Sequence, residues 1–179
     1  MKEVKGIRVC GLALAFAVTA CGGGGKAADA GPVLTPQEQV ARLEASGVLP
    51  TLERGDSIAG TDANANGVRD DIEQHIERKY TVPAERAAAM QMARAYQQML
   101  LVDKRDSLAV EEVVRISSKA VDCIFDTFVD IDAFARGSQM SRELEAITTN
   151  SRRRLTSYLE FNRAASGSVS GSFKGNGCD

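Results

Sequence analysis

Apolar residues recur at helical spacing along most of this chain, and no stretch alternates with the period of two that a half-buried strand requires. Val68, Ile72, Ile76 and Tyr80 follow one another every four residues, the stripe of a helix packed on one side. Residues 84–102 are rich in Ala, Met, Gln and Arg, all good helix formers, and Met90, Met92 and Met99 read as core packing. A further helix carries Ala109, Val113, Ile116, Ala120, Cys123 and Ile124 on one face. The next presents Phe134, Met140, Leu144 and Ile147, and a last one Leu155, Tyr158 and Leu159. The pattern predicts one all-α domain, a small helical bundle over residues 33–165.

Local signals set the predicted boundaries. Thr35, Pro36 and Glu38 have the spacing of a capping box with proline at the first helical position. That first helix carries Val40 and Leu43 on one face and stops at Gly47. Residues 48–60, VLPTLERGDSIAG, read as an irregular linker. Pro83 separates the second helix from the third, because a residue before proline avoids helical geometry. Asp103–Asp106 is a polar turn, Asp130 is placed to cap the fifth helix, and 148–151, TTNS, is a break. The Gly/Ser-rich tail, residues 166–179, is loose unless Cys178 ties it down.

One stretch has the spacing of a ligand site. Residues 61–73 read TDANANGVRDDIE, and counted from Asp62 they satisfy D-x-[DN]-x-[DN]-G-x5-E at every constrained position. A hard cation such as Ca2+ prefers six to eight oxygens, and a chain wrapped around it offers one at every second residue. Asp62, Asn64 and Asn66 supply side-chain oxygens, Val68 its backbone carbonyl, Asp70 a carboxylate directly or through water, and Glu73 two oxygens from the following helix. Gly67 takes the sharp turn. The plainer reading is an Asn/Asp/Gly-rich turn, with Asp70 and Asp71 favouring a helix N-terminus. It accounts for the composition and leaves the spacing unexplained.

The stretch resembles an EF-hand loop, and more closely the loops of dockerins and other exported bacterial proteins. The resemblance implies calcium as the bound ion. Three features differ from the family pattern: no helix is predicted to run into the loop, position eight is Arg69 rather than an aliphatic residue, and the loop is single. With charge only at Asp62, Asp70 and Glu73, affinity is expected in the weak extracellular range of about 10⁻⁴ to 10⁻³ M. A structural clasp fits that range better than a switch.

The first residues have the layout of an export signal. Lys2, Lys5 and Arg8 form a basic head, Val9–Val18 a ten-residue largely apolar run, and Val18-Thr19-Ala20 a small-residue cleavage site. That run is too short to span a bilayer, which takes about 20 residues. Val18-Thr19-Ala20-Cys21 resembles the lipobox of bacterial lipoproteins. The resemblance implies that residues 1–20 are removed and that Cys21 carries lipid, with enough acyl chains for stable anchoring. Gly22 after the cysteine implies transfer to the outer membrane, facing the periplasm. Residues 21–32 then serve as lipidated cysteine and flexible tether.

With Cys10 in the leader and Cys21 lipidated, Cys123 and Cys178 remain, and in an oxidising compartment they read as one disulfide. Two separate thiols, or Cys178 paired with another molecule, are the alternatives. The whole chain has 22 basic and 24 acidic residues; loss of Lys2, Lys5, Arg8 and Glu3 leaves a mature net charge of about −4. That balance, with no tryptophan, argues against nucleic acid as a partner. The expected partners are the membrane, through the lipid, and an envelope protein or other anionic partner. Arg152-Arg153-Arg154 reads as a solvated helix start or as a contact for such an anion.

No catalytic constellation stands out. His75 is the only histidine and reads as an exposed or half-packed helix residue, and no Gly-x-Ser-x-Gly is present. The expected function is a calcium-binding, membrane-anchored, non-enzymatic binding or scaffolding module of the envelope. The alternative is an envelope hydrolase or lyase whose carboxylates assemble only in the fold. A cleft with converging carboxylates favours the second, an exposed apolar patch the first.

Overall fold

Proline, glycine and short polar side chains cut the chain into six helices. These are α1 (Pro36–Ala45), α2 (Asp70–Lys79), α3 (Pro83–Leu101), α4 (Ser107–Thr127), α5 (Ala133–Thr148) and α6 (Arg152–Ala164). The computed structural model describes residues 33–168 and 177–179. The expected leader, Cys21 and the expected tether lie outside the described residues. The helices belong to one unit, Pro36–Asp179, and no strand occurs among the described residues. The all-α expectation holds. None of the described helices is long and apolar enough to cross a membrane.

α3 lies at the centre and packs against α2, α4, α5 and α6. Its composition suits that place. Ala88, Ala89, Ala93 and Ala95 let neighbouring backbones approach, while Met92, Tyr96, Met99 and Leu100 fill the space between them. Pro83 starts α3 after an extended Val82, and Asp106 starts α4 by accepting the N–H groups of Leu108 and Ala109. The stripe Val68, Ile72, Ile76, Tyr80 is buried throughout, and burying each such aliphatic side chain stabilises the fold by about 1.5–3 kcal/mol. On α4, Val113, Ala120, Cys123 and Ile124 are buried, with Ala109 and Ile116 half-buried.

The expectations for three helices need correction. α1 ends where predicted, with Gly47 at φ +75°, yet none of its residues is buried: Val40 is half-buried and Leu43 exposed. Asp130 does not cap α5 directly. Its carboxylate accepts the Asp132 N–H and its carbonyl the Ala133 N–H, a turn that delays the helix. Phe134, in the first turn, is 76% exposed and stacks on Phe125 instead of entering the core. α5 reaches the interior only at Gly137, where an added Cβ would sit 3.0 Å from Ile124 and 3.1 Å from Phe125. From there Met140, Leu144 and Ile147 are buried as expected.

The third correction concerns α6. Leu155 and Leu159 face out, Tyr158 is half-buried, and the inner face is Arg154, Ser157 and Phe161. The helix is turned by about one residue from the apolar reading, because Arg154 finds enough acceptors inside to be buried. The predicted break holds, since α5 ends at Thr148 and Ser151 caps α6 through the Arg154 N–H. Cys178 is joined to Cys123, with Cα atoms 4.5 Å apart.

Candidate metal centre

Loop 61–73 winds around its own side chains. Asp62 Oδ1 accepts the N–H of Asn66 at 3.1 Å, and its Oδ2 that of Gly67 at 2.9 Å. Asn64 Oδ1 accepts the Asn66 N–H at 3.1 Å, and Asn66 Oδ1 the Val68 N–H at 2.8 Å. Asp70, the first residue of α2, closes the other side. Its N–H reaches the Thr61 carbonyl at 2.8 Å, and its Oδ1 accepts the Ala63 N–H at 3.0 Å. Such short-range bonds are what Asn and Asp side chains offer to a turning backbone. Gly67, at φ +82°, takes its left-handed conformation without penalty; Ala65, at φ +55°, carries strain of about 1 kcal/mol.

Glu73 reaches back from α2 onto the loop. Its Oε1 accepts from Asn66 Nδ2 at 2.7 Å and its Oε2 from Asn64 Nδ2 at 2.9 Å. Nitrogen and oxygen of an amide exchange places by a half-turn. After that turn Asn64 and Asn66 direct oxygens toward the two oxygens of Glu73, a donor set suited to a hard cation. The exchange gives up the two bonds from Asn64 and Asn66 oxygens to backbone N–H groups, at about 1 kcal/mol each. In that arrangement the side chains present have the donor chemistry of a hard-cation site, at the cost of those two bonds. Asp62, Asn64, Asn66 and Glu73 are brought together through Asn66, which bonds both acids. Asp70 instead faces Ala63, and Val68 buries its side chain in the core. Among the described residues no cluster of three or more His, Cys, Asp or Glu side chains is spaced to hold a metal.

Behind the loop lies a polar network that the sequence did not announce. Arg69 is fully buried, its guanidinium bonding Asp71 at two points and the Ile147 carbonyl at 3.1 Å. Asp71 in turn accepts the Glu53 N–H at 2.6 Å. Arg154 is also fully buried. It donates to the Glu53 carbonyl at 2.6 Å, Asn150 Oδ1 at 2.9 Å, Glu53 Oε1 at 3.1 Å and the Ile58 carbonyl at 3.3 Å. Burial, and then the nearby Arg69 charge, push Arg154 down from its ordinary pKa. The Thr61 N–H, followed by Arg154, holds Glu53 below the usual carboxylate range.

The reading of Arg152–Arg154 as a solvated start is therefore corrected for Arg154, while Arg152 and Arg153 are exposed. The irregular linker is equally fixed: Gln97 donates to the Ala59 carbonyl at 2.6 Å, and Gly60, at φ +71°, lies against both arginines. Through Arg69 the loop is joined to the α5–α6 corner. The only sequence signals were an arginine at position eight and an arginine one turn into α6.

His75 is half-buried, with Nε2 2.5 Å from Glu143 Oε1, and Lys79 bonds the other oxygen of Glu143. Among the surface cavities lined by described residues are three of about 220, 290 and 150 Å³. Each carries one carboxylate, from Asp179, Glu160 and Glu85 respectively, so none of the three pairs two acids. Large apolar side chains are exposed in and after the α4–α5 connection, at Val129 and Ile131 and at Phe134, which stacks on Phe125. Comparison with protein-family models, with curated proteins and with solved structures finds no match.

Proposed function

We propose that this protein is a calcium-binding lipoprotein of the bacterial cell envelope, anchored through Cys21 and acting as a non-enzymatic binding or scaffolding module. The observation that carries the calcium reading is Glu73 reaching from α2 to both Asn64 and Asn66. Bound calcium would supply a divalent charge to offset Asp62, Asp70 and Glu73, acids of the loop and the first turn of α2. Asp62 and Glu73 would hold it with carboxylates, Asn64 and Asn66 with amide oxygens, and Gly67 shapes the turn.

The binding role draws on the exposed apolar side chains Val129, Ile131 and Phe134, in and just after the α4–α5 connection, which a partner surface would cover. Fractionation of cells producing the full chain tests the anchor. The wild type is expected with the outer membrane, and the Cys21→Ala variant in the soluble fraction. Equal partitioning of both would overturn the anchor. Photo-crosslinking from position 134 tests the binding role: adducts with one envelope protein support it, and adducts with none reject it.

A further inference from the structure

We infer that the outward face of α6 rests on a membrane surface carrying anionic phospholipid. The choice of occupant rests on the proposed membrane anchor; the face itself is set by packing and charge. α6 runs against the usual order of a surface helix, apolar side in and charged side out. It buries Arg154 and Ser157 beside Phe161, while Leu155 and Leu159 are 45% and 46% exposed. Water gives no reason to leave two leucines outside while an arginine enters the core; an apolar phase outside does. At about 100° per residue, Leu155, Leu159, Arg152 and Arg163 fall within about 80° of the helix circumference. The two arginines stand about 16 Å apart along the axis, with the leucines between them. An apolar centre with a cation at each end suits a helix lying in the membrane interface, its arginine stems along the lipid and their heads at the phosphates.

Charge narrows the occupant. Arg54, Arg105, Arg115, Lys119 and Arg136 each pair with a carboxylate. Arg152, Arg153 and Arg163 are exposed and make no ion pair among the described residues. The one acid of α6, Glu160, acts on Lys104, whose ammonium sits behind the helix at 2.8 Å from Ser157 Oγ. Beside the leucines lies the cavity of about 290 Å³, where Arg152, Arg153 and Thr156 supply donors suited to a phosphodiester headgroup. Nucleic acid would leave the leucine pair uncovered, whereas a lipid surface meets the cations and the leucines together. Each arginine beside an anionic surface strengthens association about fivefold, and three together about a hundredfold. An anchor at Cys21 holds the domain beside that surface, so a contact of this modest strength is populated.

The chain has no tryptophan, so Leu159→Trp in the full chain gives a single reporter on this face. With vesicles containing phosphatidylglycerol its emission is expected to shift to the blue and to be quenched by brominated lipid. With phosphatidylcholine alone the quenching is expected to be much weaker. Adding Arg152→Glu and Arg163→Glu, both at exposed positions, is expected to weaken the phosphatidylglycerol-dependent quenching by at least about 25-fold in lipid concentration. Helical circular dichroism verifies that each variant is folded. Flotation with phosphatidylcholine vesicles reads the anchor separately. A chain that floats with both vesicles while the introduced tryptophan stays unquenched keeps the anchor and overturns the inference. Quenching on phosphatidylglycerol without flotation on phosphatidylcholine keeps the inference and removes the anchor. Quenching that is unchanged by the two arginine substitutions overturns the inference. Photo-crosslinks from position 159 to an envelope protein, with no quenching by lipid, overturn it in favour of a protein partner.

Discussion

Arg69 and Asp71 form a two-point ion pair, Nε to Oδ1 at 2.6 Å and Nη2 to Oδ2 at 2.9 Å, with the guanidinium wholly inside the protein. The pair joins position eight of the loop to the first turn of α2. Through Ile147 and Glu53 it also joins the loop to the α5–α6 corner and to the linker. A loop fixed at this point is prearranged by the body of the protein, which favours a clasp over a switch.

Removing Arg69 leaves Asp71 without its cation and opens a cavity. Because the Nη1 of Arg69 has no hydrogen-bond partner among the described residues, the loss is expected at the lower end for a broken buried pair. Arg69→Ala is expected to lower stability by about 3 kcal/mol in urea unfolding. A loss under about 1 kcal/mol would show that the pair contributes little.

Gly60 gives an independent test of the same packing. Its φ of +71° disfavours any side chain, and a Cβ there would sit 2.2 Å from Arg69 Cδ and 3.0 Å from Arg154 Nη2. Gly60→Ala is expected to cost about 2–4 kcal/mol, combining left-handed strain with displacement of Arg69. Thermal unfolding within a degree of the wild type would contradict the placement.

The disulfide closes a long loop, with 55 residues of sequence separation. In the chain-entropy model this stabilises the fold by about 4 kcal/mol. Cys178→Ser is expected to lose most of that in denaturant unfolding, and mass spectrometry after thiol blocking is expected to find Cys123 joined to Cys178 in the wild type. Two alkylated thiols would reject the bond.

Acid should weaken the fold through Glu143 and Glu53. The hydrogen bond with His75, and then that from Lys79, holds Glu143 below the usual carboxylate range; the Thr61 N–H does the same for Glu53. A carboxylate whose folded pKa is depressed contributes stability that is present above its unfolded value, about 4.3 for glutamate, and lost as pH falls through the folded value. The melting temperature is therefore expected to drop below about pH 4, with a shallower drop in Glu143→Gln. An identical acid slope in the variant would remove Glu143 from the account.

What the sequence disclosed follows from how local each interaction is. The stripe Val68–Tyr80, the proline-led start of α3 and the glycine end of α1 depend on neighbours within a few residues, so spacing revealed them. The turn of loop 61–73 was legible for the same reason, since its bonds run between residues at most nine apart. Arg69 and Arg154 were not legible. Beside the local Asp71 and Asn150, their acceptors come from Ile147, Glu53 and Ile58, 78 to 101 residues away, and a buried arginine looks in sequence like a solvated one. Phe134 failed in the opposite sense, an apolar side chain at helical spacing placed before its helix reaches the core.

The central claim is that the loop holds calcium, and calorimetric titration of the full chain in detergent tests it most directly. The account predicts saturable heat with a dissociation constant of about 10⁻⁴ to 10⁻³ M, abolished in Glu73→Gln. At a tenfold excess over that constant it also predicts about 1.4 kcal/mol of added stability, seen as a higher melting temperature than in chelator. No heat of binding, together with an unchanged melting temperature, would contradict it.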